Sequence, residues 1–135
     1  MKSQILAFSL SLILTISLTS CQSQPAPNTN SAPVKGNYEL ADAPKIKALI
    51  ASQPNILVLD VRTPEEYKDG HLPNAVNVDF NGDQFDKQIL ALDKSQPVIV
   101  YCQAGGRSKK ATDFMMGSGF KQVYELAGGY NNWNP

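Results

Sequence analysis

Two short apolar runs constrain the fold more than any other feature of this sequence. They lie at residues 56–59 (ILVL) and 97–101 (PVIVY), and polar or turn-forming residues flank each of them. A continuous apolar run of this length is typical of a strand that is covered on both faces, as in a parallel sheet. Because segments with helical spacing separate the runs, the sequence predicts helices that alternate with strands.

The rest of the sequence continues this alternation. Asp42 is expected to cap a helix with Pro44 in its first turn, and Thr63 with Glu66 forms a capping box that opens a short helix. Further elements are predicted as strands at residues 75–78 and 123–126 and as helices from Asp83 and at 108–116. We therefore expect an α/β fold, with one small domain over residues 38–135. It should contain a mainly parallel sheet of four to five strands with helices on both faces.

The first 20 residues have the pattern of a secretory signal. Lys2 precedes an apolar stretch at residues 5–18, and its roughly 14 residues are too few to cross a ~30 Å hydrocarbon core comfortably. The stretch ends in Leu-Thr-Ser-Cys, which resembles a bacterial lipobox and implies that Cys21 carries a diacylglyceryl thioether. The alternative is an ordinary signal peptide that happens to precede a cysteine. With the lipid, the protein is expected in the bacterial cell envelope, anchored to a membrane and facing the periplasm or the cell exterior.

Residues 21–37 are predicted to be the lipidated N-terminus followed by a disordered tether. The stretch is rich in Pro, Ser, Asn and Thr, so it cannot bury enough apolar surface to offset the entropy of ordering. If Cys21 is lipidated, Cys102 is the only thiol of the mature chain, and no intramolecular disulfide can form.

The composition argues against several classes of function. The 12 Lys and Arg residues balance the 12 Asp and Glu residues, so no nucleic-acid partner is expected. One His and two Cys are too few for an ordinary four-ligand zinc site, and no metal or separate cofactor is predicted. We expect a monomer whose partners are small molecules and, through its lipid, a membrane.

The chemistry is predicted to lie in residues 102–108 (CQAGGRS). Cys102 follows the second apolar run, and ligands of parallel sheets bind beyond the carboxyl ends of the strands. Adjacent glycines allow the backbone N–H groups to turn inward, the next helix adds partial positive charge, and Arg107 adds a cation suited to oxyanions. Together these features favour a thiolate at Cys102 without a histidine base, and an anion bound against it. The alternative is a buried structural cysteine before an ordinary glycine turn.

Three segments resemble the rhodanese family of single-domain sulfurtransferases. They are residues 59–67 (LDVRTPEEY) with 70–75 (GHLPNA), residues 101–108 (YCQAGGRS), and residues 126–129 (LAGG) with Trp133. The first is similar to the family's Asp-Val-Arg and Gly-His-Ile-Pro-Gly-Ala elements, the second to its catalytic loop and the third to its closing segment. Leu72 and Asn74 stand where the family usually has Ile and Gly, and Asn tolerates a left-handed turn.

The resemblance implies sulfur transfer through a persulfide. Cys102 would take the outer sulfur of a donor such as thiosulfate and pass it to a thiol or to cyanide. The donor would be bound by the rest of the loop, namely Gln103, Ala104, Gly105, Gly106, Arg107 and Ser108. The persulfide is the only intermediate that this chemistry requires, so no cofactor is implied.

Three further matches to the family are interpreted as structural support. Asp60 can accept loop N–H bonds, Arg62 is expected to pair with Glu65 or Glu66, and His71 is expected to anchor the turn before the next strand. None of them is needed as a general base.

Two other functions stay open. The chain could be a membrane-anchored rhodanese-like module that binds a partner or relays sulfur with little free turnover. It could also be a cysteine phosphatase-type enzyme, although related phosphatase loops have five residues between Cys and Arg and this loop has four.

Overall fold

A computed structural model describes residues 35–133, which form a five-stranded sheet with helices packed against it. The strands are β1 (Asn37–Ala41), β2 (Leu57–Asp60), β3 (Ala75–Asn77), β4 (Val98–Tyr101) and β5 (Gln122–Leu126). Their order across the sheet is β1-β5-β4-β2-β3, and all four neighbouring pairs are parallel. The predicted α/β class and parallel sheet are confirmed. The predicted signal, Cys21 and nearly all of the predicted tether lie outside the described residues.

In the part of the chain that the structure describes, four α-helices and one 3-10 helix connect or follow the strands. They are α1 (Ala43–Ser52), α2 (Pro64–Lys68), α3 (Phe85–Leu90), α4 (Gly106–Gly117) and the 3-10 helix at Gly129–Asn132. Asp42 caps α1 by accepting from Lys45 N at 3.0 Å. Thr63 and Glu66 form the predicted capping box of α2.

Two helices begin at positions that differ from the sequence expectation. The α3 helix begins at Phe85 rather than at Asp83, and its N-cap residue makes no side-chain hydrogen bond. The α4 helix begins at Gly106, before the expected Ser108, because Gly105 at φ 103° ends the loop in the left-handed region and starts the helix directly. As a result, Arg107 belongs to the first turn of α4.

The helices cover both faces of the sheet, as predicted. The face packed by α3 and α4 buries Leu59, Val98, Val100, Phe85, Ile89, Ala111 and Met115. The face packed by α1 buries Ile46, Val58, Ile99, Leu126, Leu72 and Ala75. Alternate residues of β2 and β4 point into opposite cores, which is why both strands read as continuous apolar runs in the sequence.

Strand β1 was not expected from the sequence, and it begins at Asn37, the last residue assigned to the tether. The residues of this edge strand do not alternate between buried and exposed positions, since Leu40 is 58% exposed and only Ala41 is buried. Its position comes from parallel pairing with β5, in which Ala41 faces Leu126. A strand specified by its neighbour rather than by its own pattern gives no clear signal in the sequence.

The sheet order brings the carboxyl ends of β2 and β4 together. Asp60 and Tyr101 are register partners, and Cys102 follows immediately after Tyr101. Within residues 35–133, no helix is long and apolar enough to cross a membrane.

Candidate functional site

Cys102 lies at the floor of a short loop between β4 and α4. Cys102 is only 2% exposed to solvent, and its Sγ accepts a hydrogen bond from Gly105 N at 3.1 Å. The loop curls around the sulfur because Gly105 adopts φ 103°, a conformation that side chains other than glycine rarely take. The predicted inward turn of the loop N–H groups is therefore present.

The surroundings of Cys102 favour its thiolate. Burial raises the pKa of the thiol, but the backbone N–H and hydroxyl of Ser108 and the N–H groups of Ala104 and Gly105 lower it by more. The net pKa of Cys102 is lowered without a histidine. A thiolate held by backbone donors is a prepared nucleophile, since the thiolate is the reactive form of cysteine.

A buried polar chain runs behind this loop. Ser108 Oγ lies 3.1 Å from Gly105 O and 2.8 Å from Glu125 Oε1, and Tyr38 Oη donates to Glu125 Oε2 at 2.9 Å. Glu125 is 2% exposed, and each of its carboxyl oxygens lies within hydrogen-bond distance of a hydroxyl inside the protein. The chain ties the start of α4 to β5 and β1, which the sequence analysis did not foresee.

Arg107 forms a two-point ion pair with Glu66. Its Nη1 and Nη2 each donate over 2.7 Å, to Glu66 Oε2 and Oε1 respectively. The pair lowers the pKa of Glu66 to about 2, while Glu66 and the nearby Cys102 sulfur raise the pKa of Arg107. The Arg107 guanidinium therefore lies between the Glu66 carboxylate and the Cys102 sulfur. It is already paired with Glu66 when an anionic substrate enters the site.

Arg62 has a different partner from the one expected. The prediction that it pairs with Glu65 or Glu66 is wrong, because its guanidinium binds Asp60, with Nη2 to Oδ2 at 2.7 Å and Nε to Oδ1 at 3.0 Å. Both residues are almost fully buried. Arg62 lies two residues after Asp60, the last residue of β2, whereas Glu66 lies in α2 and its side chain binds Arg107.

Asp60 and Arg62 also brace the neighbouring segments. Tyr101 Oη donates to Asp60 Oδ2 at 2.6 Å, and burial raises the pKa of Tyr101 further above its usual range. Arg62 Nη2 donates to Gly70 O at 2.6 Å, and Arg62 N donates to Asp60 Oδ1 at 2.9 Å. The last contact is a local N–H bond, and the expectation that Asp60 accepts N–H bonds from the loop after β4 stays a prediction.

The 3-10 helix holds the loop from its other side. Tyr130 N donates to Cys102 O at 2.8 Å, and Asn131 N donates to Gln103 O at 3.0 Å. The Gln103 side chain bridges outward, accepting from Arg62 Nη1 at 3.0 Å and donating to Asn131 Oδ1 at 2.5 Å. Gly129 permits this contact, since a Cβ there would lie 2.4 Å from Cys102 O. The sequence identifies the glycine pair before Tyr130 only through its resemblance to a closing segment, and its contact with the loop was not expected.

His71 and Asn74 lie on the segment that leads into β3. The His71 ring stacks on Tyr67 with 4.1 Å between ring centroids, and its Nδ1 lies 2.9 Å from Leu72 O. Asn74 adopts φ 57°, the left-handed turn expected at that position. These contacts fit the interpretation of His71 as a turn anchor, and none of them joins it to Cys102.

The site can therefore perform covalent chemistry at sulfur. It offers a nucleophilic thiolate, inward N–H groups that bind negative charge, and one arginine at the rim. Within residues 35–133, no group of three or more His, Cys, Asp or Glu side chains is placed to hold a metal ion.

Comparisons with known proteins agree with this geometry. Residues 42–135 match the family model of the rhodanese-like domain. Thiosulfate sulfurtransferase 16, chloroplastic, of Arabidopsis thaliana is 40% identical over 85 residues, which cover 56% of this chain and 71% of that protein. A rhodanese-like domain from an Anabaena protein has a solution structure with a TM-score of 0.61 and 30% identity, covering 70% of this chain and 71% of that one.

A second kind of relative shares only part of its length with this chain. The tRNA uridine(34) hydroxylase of Pelagibacter ubique is 38% identical over 91 residues. The match covers 67% of this chain and 30% of the hydroxylase. The likeness is therefore confined to one portion of that enzyme.

Proposed function

Because this chain belongs to the rhodanese-like domain family, we propose that it is a sulfurtransferase that carries sulfur as a persulfide on Cys102. The observation that carries the proposal is a nearly buried thiol whose pKa is lowered by the N–H groups of its own loop. The named activity of the Arabidopsis relative, at 40% identity, supports the same reaction class. Hydroxylation is not proposed, since the chain corresponds to 30% of the hydroxylase relative.

The first half-reaction loads the enzyme. The Cys102 thiolate attacks the outer sulfur of thiosulfate, a new S–S bond forms, and the original S–S bond breaks with its electron pair leaving on sulfite. The charge of the attacking thiolate leaves with sulfite, and the outer sulfur keeps the negative charge that it carried in thiosulfate. Gly105 N–H, which already donates to Cys102 Sγ, and its neighbours in the loop stabilise that anion.

The second half-reaction unloads it. A thiolate or cyanide attacks the outer sulfur, and Cys102 leaves as the thiolate that its surroundings favour. Neither half-reaction needs a general base once the thiol is ionised. A double-displacement mechanism follows, in which the donor product leaves before the acceptor binds.

Steady-state kinetics with thiosulfate and cyanide test this proposal. The expected pattern is a set of parallel double-reciprocal lines, with activity lost in Cys102→Ser, because serine has no accessible anion at neutral pH. Ser is nearly isosteric with Cys, so the unfolding midpoint should stay close to that of the wild type. Activity that survives in Cys102→Ser overturns the proposal.

A sulfur-relay module is the second candidate function. The geometry around Cys102 favours a relay over a module that only binds a partner. The loop arginine is already paired with Glu66, which weakens the binding of a free anionic donor beside Cys102. A relay would take up one sulfur per chain and turn over only when a specific acceptor protein is present. A cysteine phosphatase is less favoured because the four-residue spacing of the loop makes a narrower cradle than a phosphate needs.

The membrane anchor is also a proposal, resting on the sequence around Cys21. Full-length protein expressed in a bacterium that processes lipoproteins should partition into the detergent phase. Cys21→Ala should lose the acyl mass and accumulate as uncleaved precursor or as protein outside the detergent phase. Wild-type protein with an unmodified Cys21 would contradict the anchor.

A further inference from the structure

The contact that the sulfur-transfer scheme leaves unexplained is the ion pair between Glu66 and Arg107. An arginine at the rim of an anion site is expected to offer its paired N–H groups to the ligand. Here both terminal nitrogens of Arg107 already bind Glu66, over 2.7 Å each. The pair joins α2 to the first turn of α4, across 41 residues of sequence.

Glu66 is held in this position from its own side as well. Its Oε2 accepts from Thr63 N at 3.0 Å, and Thr63 Oγ1 accepts from Glu66 N at 3.3 Å. The capping box therefore fixes the side chain that reaches Arg107. With a pKa of about 2, Glu66 is ionised throughout the neutral range.

We propose that Glu66 is a specificity-determining residue that reduces the site's preference for doubly charged sulfur donors. It binds one N–H of each terminal nitrogen of Arg107 and offsets the charge of the guanidinium beside Cys102. The favoured donors are then those with a single negative charge or none at the reacting end. The choice of sulfur donors as substrates rests on the proposed sulfurtransferase function. The effect of the Glu66 charge on anions near the Cys102 thiol does not depend on that function.

The neighbouring residue Glu65 provides a matched control. It carries the same charge on the same helix, but its side chain is exposed. The glutamate that binds Arg107 is Glu66. Glu66→Gln removes the charge and keeps an oxygen that can accept from Thr63 N, so the cap of α2 should survive. Glu65→Gln reports the effect of removing a charge that does not touch Arg107.

Alkylation of Cys102 measures the local field without any sulfur transfer. Iodoacetate is an anion and iodoacetamide is neutral, so the ratio of their rates cancels changes in the thiol pKa. Removing a negative unit charge about 6 Å from the reacting sulfur, in water, should raise the rate of reaction with a monoanion about threefold and with a dianion about tenfold. The ratio should therefore rise about threefold in Glu66→Gln, fall back toward the wild-type value in high salt, and stay near the wild-type value in Glu65→Gln.

Donor kinetics complete the test. Glu66→Gln should raise kcat/KM about tenfold for thiosulfate, a dianion, and about threefold for the monoanion methanethiosulfonate. An unchanged or lower alkylation ratio in Glu66→Gln, or equal changes in both glutamate variants, would overturn the inference even if sulfur transfer is present. If thiosulfate loads no sulfur onto the wild type but the alkylation ratio rises as expected, the sulfurtransferase proposal fails while the role of Glu66 at Arg107 stands.

Discussion

Arg62 Nη1 donates to Gln103 Oε1 over 3.0 Å, which joins the end of β2 to the residue that follows the nucleophile. Because Arg62 is held by the buried carboxylate of Asp60, the position of the loop depends on an ion pair beneath it. Tyr130 N fixes the other side through Cys102 O, 2.8 Å away. The loop is therefore braced by the sheet edge and by the 3-10 helix.

Asp60→Asn should be strongly destabilising. It removes the negative charge from a pair in which the Arg62 side chain is 2% and the Asp60 side chain 0% exposed, so the guanidinium is left buried without its counter-charge. Breaking such a pair costs about 3–5 kcal/mol. Urea unfolding should show this loss, whereas Asp86→Asn, at an exposed position of α3, should change the free energy of unfolding by less than about 0.5 kcal/mol. A similar small change in both variants would refute the bracing role of Asp60.

Arg107→Ala should impair the donor step, and it should also lose the stability that the ion pair with Glu66 provides, about 1–2 kcal/mol. Glu66 binds one N–H on each terminal nitrogen, so the remaining N–H groups of Arg107 can bind the donor. Loss of one charged hydrogen bond to the donor is worth roughly 1.5–3 kcal/mol, which corresponds to a loss of about 10- to 150-fold in kcat/KM for thiosulfate. The variant also leaves the negative charge of Glu66 unbalanced near the thiolate, which acts in the same direction. Lys87→Ala, an exposed cation of α3, serves as control. An Arg107→Ala enzyme with the kinetics of the Lys87 variant would show that Arg107 does not meet the donor.

Glu66 should make the protein sensitive to acid. Its pKa in the folded state is about 2, below the ordinary value of 4.5, so its contribution is fully present above pH 4.5 and is lost as the pH falls toward 2. The shift corresponds to about 3 kcal/mol, and partial exposure of both side chains reduces this to about 1–2 kcal/mol. The free energy of unfolding should fall less between these pH values in Glu66→Gln than in Glu65→Gln. Parallel pH profiles for the two variants would contradict the assignment.

Gly129→Ala should disturb the loop directly. A Cβ at this position would lie 2.4 Å from Cys102 O, and the backbone has φ 64°, so the variant combines a clash with strain. We expect a loss of more than about 1 kcal/mol in stability together with reduced sulfur transfer. Gly117→Ala is the matched control, because nothing lies within 4 Å of its Cβ position at the end of α4. Equal behaviour of the two variants would mean that the 3-10 helix does not brace the loop.

The sequence predicted the features that depend on local patterns. The buried runs identified β2 and β4, the Thr63 capping box identified the start of α2, and the glycines after Cys102 predicted a loop that donates N–H groups to the sulfur. Each of these signals lies within a few neighbouring residues, where propensity and steric rules apply directly.

The parts that were missed depend on contacts between distant segments. Arg107 and Glu66 are separated by 41 residues, and the capping motif explained Glu66 without reference to the loop. Tyr130 binds Cys102 through its backbone N–H, which leaves no trace in the side-chain pattern. Asp60 and Arg62 were recognised, but an arginine near two glutamates and one aspartate could not be assigned to the correct carboxylate from spacing alone.

The intact mass of the protein after incubation with thiosulfate tests the central claim most directly. We predict that the wild type gains one sulfur atom, that this gain disappears on addition of cyanide or a thiol, and that Cys102→Ser gains none. A wild-type mass unchanged by thiosulfate, or an equal gain of sulfur in Cys102→Ser, would contradict the account of Cys102 as the sulfur carrier.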